Sequence, residues 1–447
     1  MAKIDIFDLG YLYFSVGYDF ERSRSKSYDK YFNGYVGGFF YFIFRFVYSL
    51  VRQGRKFKTL TPEQSKCLFV GMSNNNRRSL QPIIDAIGED KVGALTSDKI
   101  VPMWRMYWHA LPHLGDLIRD IKSATPEQRA IMKLRFLYFW RGYGCPGFAN
   151  DLLDFYNPKV IVVANDHLFY YRALIQEANK RGVKTIYVQH AAVTDKFPPL
   201  DLSYAFLDGK DSFDKYLSAG ECKGEVYLMG GVRFDAIKGN ETRPTDKYRI
   251  GVALNLLDDT EKVRTACKEL LVLNTSKPIE VILRPHPAVL YRPWVDWCVE
   301  NNVSISLPSE QSSFDYLESL SLLVSNQSSI HLDAAMCHTP ALIYNMATTK
   351  PADGYGFLKN GLVKEYDSIE SIHPVIESLD SFKYDVDTVR LYNGSFGASY
   401  EGHVAETIAD LIKEILIGDT NRFNEKNKIE LLLKRDGCTV YSPINNY

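Results

Sequence analysis

A chain of 447 residues with 53 Lys+Arg against 54 Asp+Glu has a formal charge of -1, which excludes a bulk nucleic-acid binder. Its 46% hydrophobic and 24% charged residues suit a globular enzyme of two large or three smaller domains, and 19 Pro with 29 Gly exclude long disorder. The seven cysteines are widely spaced with no C-x-x-C, which points to buried thiols in a reducing compartment and away from a disulfide framework or zinc site.

The opening MAKIDIFDLG lacks a basic stretch followed by an apolar core, so no signal peptide is expected and the chain reads as cytoplasmic. Residues 34–51, GYVGGFFYFIFRFVYSLV, hold the aromatics Tyr35, Phe39, Phe40, Tyr41, Phe42, Phe44, Phe46 and Tyr48. The run has the length of a bilayer span, but Arg45 interrupts it, Gly34, Gly37 and Gly38 weaken it as a helix, and Arg52, Arg55, Lys56 and Lys58 follow. The plainest reading is a helix buried on the first domain. Aromatics beside cations also compose a peripheral anchor at the inner membrane face.

From Lys66 onward short apolar runs alternate with helical patterns. KCLFVGMS is read as a buried strand, and SLQPIIDAIG as a helix stopping at Gly88. Thr125-Pro126-Glu127 opens another helix. KVIVVAN (159–165), KTIYVQH (184–190), SYAFLDG (203–209) and EVYLMGG (225–231) continue the strands. RIGVALN (249–255), IEVILRPHP (279–287), VSISL (303–307), SLLVSNQ (321–327) and PALIYN (340–345) form a later series. Strands alternating with helices give parallel sheets, and there are too many for one comfortable sheet. The polar GNETRPTDKY (239–248) separates the two series. The expected organisation is an aromatic and basic extension (1–60), a Rossmann-like acceptor and catalytic domain (61–240), a second Rossmann-like donor-binding domain (241–417) and a polar tail (418–447). The two domains would face each other across a cleft, and a long helix near 402–417 would close the second domain or cross back to the first.

Ligands of open α/β sheets bind at the carboxyl ends of strands, so the residues after each strand are the candidate site. Five polar clusters stand there: Asn165-Asp166-His167, Gln189-His190, Gly230 to Asp235, Arg284-Pro285-His286-Pro287 and Asn326-Gln327-Ser328-Ser329. Ser328 and Ser329 precede a helical run and are either a plain cap or a phosphate site. Pro285 and Pro287 fix the backbone around His286, and Arg284 adds a permanent cation. Together these two clusters favour a sugar-nucleotide phosphate site. Asp166 and Asp235 could divide acid and nucleophile roles, or simply cap local turns. Arg233 could hold a sugar carboxylate or neutralise Asp235, and His190 could orient a donor or serve structure. No D-x-D segment follows a strand, so no metal and no other cofactor is expected.

The Q-H pair, the G-x-x-R-x-D turn of residues 230–235, the R-P-H-P strand end and the S-S-x-x-x-D helix start resemble bacterial two-domain glycosyltransferases of capsule and O-antigen assembly. The likeness is greatest to the retaining β-Kdo transferases, and the stretch YVQHAAVTDKFPPLDLSYAFLDGKDSFDKY (187–216) is similar to them as well. The resemblance spans roughly residues 66–415. It implies a GT-B-like α/β fold, CMP held through His286-Pro287 and Ser328-Ser329, and a catalytic carboxylate at Asp166. It further implies an Asp nucleophile at Asp235, with Asp195 and Asp201 as fallbacks. The implied partners are CMP-Kdo or a related CMP-sugar and a lipid-linked or oligosaccharide acceptor. Q-H-A-A in place of the Q-H-G of related capsule enzymes leaves the sugar open. Three alternatives stand beside this reading: a CDP-glycerol glycerophosphotransferase, whose usual W-H-G segment is absent, an inverting sialyltransferase-like enzyme, and a non-enzymatic polysaccharide assembly or binding protein.

Overall fold

Short runs of Val, Ile, Leu and aromatic residues become strands here because helices cover both sheet faces and no polar alternation is needed. The computed structural model describes residues 4–24, 34–52, 54, 56–97, 100–239, 246–418, 420–435 and 437–444. It divides into two compact units, Met1–Arg233 with Ala398–Tyr447, and Phe234–Gly397. Both are Rossmann-like α/β units, the type a GT-B chain comprises. The first contains β1 (Cys67–Val70), β2 (Gly93–Leu95), β3 (Val160–Val163), β4 (Lys184–Val188), β5 (Asp201–Leu207) and β6 (Lys223–Leu228). The second contains β7 (Tyr248–Ala253), β8 (Ile279–Arg284), β9 (Ser304–Ile305), β10 (Leu322–Ser325), β11 (Ala341–Tyr344) and β12 (Lys364–Tyr366). The chain then returns to the first unit with β13 (Ile429–Arg435) and β14 (Cys438–Pro443).

The first sheet runs β13-β14-β6-β5-β4-β3-β1-β2, and the second β12-β11-β10-β7-β8-β9. All neighbours are parallel except β13 with β14. The order reverses between β1 and β3 in one sheet and between β7 and β10 in the other. Those two reversals are where crevices open at the carboxyl ends of strands.

Several expected boundaries move. The helix Val404–Ile417 crosses back: Val404, Ile408, Leu411 and Ile415 pack with Ile83, Ile84 and Ile87 on one face of the first sheet. Residues 418–447 are no peripheral tail, because β14 pairs in parallel with β6 and Tyr441 stacks on Tyr227 at 4.7 Å. The division between units falls after Arg233 and again before Ala398. Within the linker read at 239–248, residues 240–245 lie outside the described residues. The described residues before 60 are not an extension either. Ile6 and Leu9 join the core, Asp8 pairs with Arg172 at 2.5 Å, and Glu21 pairs with buried Arg135 at 2.6 Å. Strands β2 and β12, three residues each, are additions to the expected set.

The other face of the first sheet rests on the helix Phe136–Tyr156, which is apolar on most sides and largely buried. Gly144 lets the helix Trp104–Ala110 approach it. A Cβ there would lie 1.8 Å from the Met106 carbonyl oxygen and 2.9 Å from the Ala110 nitrogen. Backbone cannot yield as a side chain can, so Gly144→Ala is expected to cost about 2–3 kcal/mol of stability. Chemical denaturation reads this directly, and an unchanged midpoint would show that the two helices separate without cost.

Candidate active site

Beyond β3, Asn165 turns the chain into the helix Phe169–Lys180. Its Oδ1 accepts the N–H groups of His167 (3.2 Å) and Leu168 (3.0 Å), an Asx turn. With Oδ1 committed as acceptor, Nδ2 is the donor and gives a hydrogen bond to His167 Nε2 at 3.0 Å. His167 therefore keeps its proton on Nδ1 and donates it to Asp166 Oδ1 at 3.0 Å. Asp166 is buried, and its second oxygen, Oδ2, has no hydrogen-bond partner. The phenols of Tyr187 and Tyr216 are held protonated far above their ordinary range, chiefly by burial and then by the charge of Asp166.

The neighbouring strand ends complete the cluster. After β4, the Gln189 amide donates to the Ala191 carbonyl at 3.1 Å and accepts the Asp208 N–H at 2.9 Å, clipping the ends of β4 and β5 together. His190 is kept neutral: burial first, then the nearby His167, push its pKa down to about 4. Its Nδ1 is buried without a partner. The His190 and His167 rings lie 6.2 Å apart, and Phe197 covers His167 at 4.1 Å. After β5 stands Asp208, which the sequence reading missed because Asp-Gly after a strand reads as an ordinary turn. Burial raises its carboxyl to about 7, against the opposing charge of Arg233. The charge of Asp208, like that of Asp166, acts on Tyr187.

In the second unit amides tie together the carboxyl ends of β7 and β10. Asn255 Nδ2 donates to the Gln327 carbonyl (2.6 Å), and Asn326 Nδ2 donates to Asp258 Oδ1 (2.9 Å). Burial raises the Asp258 carboxyl, opposed by the Asn255 backbone N–H, which donates to its Oδ2 at 2.6 Å, and by the Asn326 amide. Gln327 Oε1 is buried with no partner. His331 donates from Nε2 to the Asn326 carbonyl at 2.9 Å, leaving Nδ1 buried and unpartnered, and burial drops its pKa to about 4. Asn255 and Asp258 were not singled out in the sequence, since each bonds a partner from a distant segment, and His331 was passed over as part of the helical run IHLDAAM.

The expected donor-site residues have distinct environments. His286, between its two prolines, accepts the Ala288 N–H on Nδ1 at 3.1 Å, so its neutral ring presents an Nε2–H as a donor. The Pro287 carbonyl accepts from the Tyr291 hydroxyl at 3.2 Å. Ser329 occupies the cap position of the short helix Ile330–Met336 without a side-chain cap bond, and Ser328 Oγ accepts the Ile330 N–H at 3.4 Å. Arg284 is not the open cation expected. It is buried, donates to Ser306 Oγ (2.7 Å) and the Gln311 carbonyl (3.0 Å), and packs over Tyr316.

Among the carboxylates, the structure gathers Asp166 with His167, His190 and Asp208 in the first unit. Asp235 sits in the 3-10 turn Val232–Ala236 and belongs to the second unit, while Arg233 closes the first segment of the first. The fallback candidates stand in exposed ion pairs: Asp195 with Lys196 at 3.1 Å, and Asp201 with Lys223 at 3.1 Å. Asp201 opens β5, at the opposite end of the strand from Asp208. Among the described residues no three His, Cys, Asp or Glu side chains group as metal ligands.

No protein-family model and no curated protein sequence matches the chain. Solved structures do align with it. A UDP-N-acetylglucosamine 2-epimerase aligns over 80% of this chain and 97% of its own, at 12% identity and a TM-score of 0.48. The UDP-GlcNAc 2-epimerase of Methanocaldococcus jannaschii covers 78% and 99%, at 13% identity and 0.43. The wall teichoic acid polymerase TagF covers 86% and 99%, at 14% identity and 0.44.

The Asp208 carboxyl sets a measurable pH signature. Its folded pKa of about 7 lies above the unfolded value of about 3.9, so the folded state binds the extra proton. Its contribution to stability is fully present below about pH 4 and is lost as pH rises through 7. Asp208→Asn should therefore be more heat-stable than the parent at pH 8, with the gap closing towards pH 4. Parallel melting curves across that range would show otherwise if Asp208 were an ordinary exposed carboxylate.

Proposed function

We propose that this chain is a glycosyltransferase that moves an acidic sugar, Kdo by the resemblance of its motifs, from a CMP donor to a glycan acceptor with retention. The observation that carries the reading is the group at the carboxyl ends of β3, β4 and β5, in which buried Asp166 stands with the partly buried His190 and Asp208. Two of its polar atoms, Asp166 Oδ2 and His190 Nδ1, are buried and unpartnered. Such atoms cost stability unless a ligand satisfies them.

The chemistry follows from the two carboxylates. Asp166, with one oxygen fixed by His167 and the other open, suits the nucleophile of a double displacement. Its Oδ2 bonds to the anomeric carbon as the bond from that carbon to the phosphate oxygen breaks and CMP departs. The acceptor hydroxyl oxygen then attacks the same carbon, the Asp166 ester bond breaks, and the hydroxyl proton passes to Asp208. A carboxyl titrating near 7 is suited to that acid/base role. The motif resemblance instead makes Asp235 the nucleophile and Asp166 the acid/base. In the second unit the Nε2–H of His286 and the hydroxyls of Ser328 and Ser329 are the donors for the CMP phosphate. Two neutral histidines, His190 and His331, keep proton-accepting nitrogens available without adding charge.

Incubation with CMP-Kdo, CMP-sialic acid and CDP-glycerol in separate reactions, followed by nucleotide release in excess EDTA, is expected to show turnover with CMP-Kdo. Release from CDP-glycerol alone would replace the reading. Asp208→Asn should slow the second step and let a sugar adduct build up, seen by intact-protein mass spectrometry. Mapping to Asp166 supports the assignment, mapping to Asp235 moves the nucleophile to the second unit, and an inverted product linkage rejects double displacement. His286→Ala should weaken CMP binding about tenfold by calorimetry, the loss of one charge-assisted hydrogen bond. Unchanged affinity would remove His286 from the donor site.

A further inference from the structure

The helix Gly34–Arg52 is long and apolar enough to cross a bilayer, yet only 17% of that window is buried in the protein. It is therefore not the core helix that composition alone suggests. Its inner stripe is firmly packed. Phe42 stacks on Trp140 at 3.8 Å and meets Tyr107 edge-on at 5.2 Å. A Cβ at Gly38 would lie 2.8 Å from Phe136. The opposite stripe, at helical spacing, is apolar and open to solvent: Val36 is 73% exposed, Phe40 66%, Phe44 60%, Val47 53% and Val51 64%. A contiguous apolar face of this kind is not left uncovered on soluble monomers.

We propose that this face docks the protein onto an anionic phospholipid bilayer, with the helix lying flat in the interface. The inner stripe rules out spanning, since the helix could not cross the bilayer without unstacking Phe42 from Trp140. The charge pattern selects the occupant. The helix has no acidic residue. Exposed Arg52, Lys56 and Lys58 follow one end of the stripe, and exposed Lys122 and Lys133 lie near the other, with Lys133 over the Tyr35 ring at 5.8 Å. Apolar side chains facing the acyl region with cations at headgroup level form the pattern of interfacial helices. A second copy of this chain would bring the same cations against each other.

A groove beside the helix strengthens the assignment. About 680 Å³ opens between it and the helix Leu114–Ser123, walled by Val36, Phe40, Leu114, Ile118 and Phe136. Lys122 and Arg129 stand at its edge. The groove takes one acyl chain, with the lipid phosphate at the Lys122 end. Both acidic side chains of that second helix are engaged, Asp116 with Arg119 at 2.8 Å and Asp120 with the Tyr143 hydroxyl. The inference is independent of the reaction proposed above, because it needs no donor or acceptor.

The test is flotation of the full chain with vesicles of phosphatidylglycerol in phosphatidylcholine, and of phosphatidylcholine alone, with light scattering of the lipid-free protein. The expected result is binding to the anionic vesicles that weakens with salt. Phe40→Ser with Val47→Ser should lose it by about tenfold or more while the melting temperature stays put, since both side chains face solvent. Lys122→Gln with Lys56→Gln should weaken anionic binding only. Absence of flotation in the parent overturns the proposal. So does a parent dimer that the Phe40 and Val47 changes convert to monomer, because the face would then be covered by a second copy.

Discussion

The two N–H groups accepted by Asn165 Oδ1 are a small interaction with wide consequences. They end β3, start the helix Phe169–Lys180 and fix which way the Asn165 amide points. The amide then decides which nitrogen of His167 carries the proton, and that proton holds one oxygen of Asp166. If the amide were reversed, His167 Nε2 would face an acceptor and its Nδ1 proton would be drawn away from the carboxylate. The geometry at Asp166 thus follows from a turn that any reader of sequence would class as a local connection.

The cluster also shows how a covered parallel sheet tolerates chemistry. Helices occupy both faces, so strand ends are the places where polar side chains can meet without crossing the core. Ionisable groups there cannot all be charged at once, since each buried charge adds to the desolvation cost of the next. His190 answers by staying neutral, with a pKa near 4, and Asp208 by keeping its proton to about 7. Tyr187 and Tyr216 stay phenolic under the charge of Asp166. A carboxyl that keeps its proton to about 7 can act as an acid/base where an ordinary carboxylate could not.

Much of this was legible in residues read one after another. Runs such as KVIVVA and SLLVS cannot be half-exposed strands or long helices, so each became a buried strand, and the polar residues after them became the site. Asp166, Gln189, His190 and His286 were found because they follow such runs immediately. What stayed hidden depends on distant partners. β14 is a strand because β6 offers it a free parallel edge more than two hundred positions earlier, and β13, with charged ends and a register shift at Leu431 and Leu433, lacks clean alternation. The raised pKa of Asp208 comes from atoms packed around it, while its own neighbours spell only a turn. Arg284 was misread for the converse reason. A cation after a strand suggests an open anion site, but Ser306 and the Gln311 carbonyl, supplied by a later segment, had already claimed it.

The aromatic segment at 34–52 shows the limit of periodicity when nearly every position is apolar. A hydrophobic stripe cannot be told from its opposite when both are hydrophobic, and only the packing of Phe42 on Trp140 reveals which face is inside. That packing also ties the outer face to the strand-end cluster. Trp140 and Phe139 are consecutive on one helix; Trp140 holds Phe42, while Phe139 meets Phe169 edge-on at 5.3 Å. Phe169 begins the helix that the Asn165 turn launches, two residues after His167. Aromatic packing thus ties the open apolar stripe to the helix that follows the Asp166 turn, and such packing resists compression and shear.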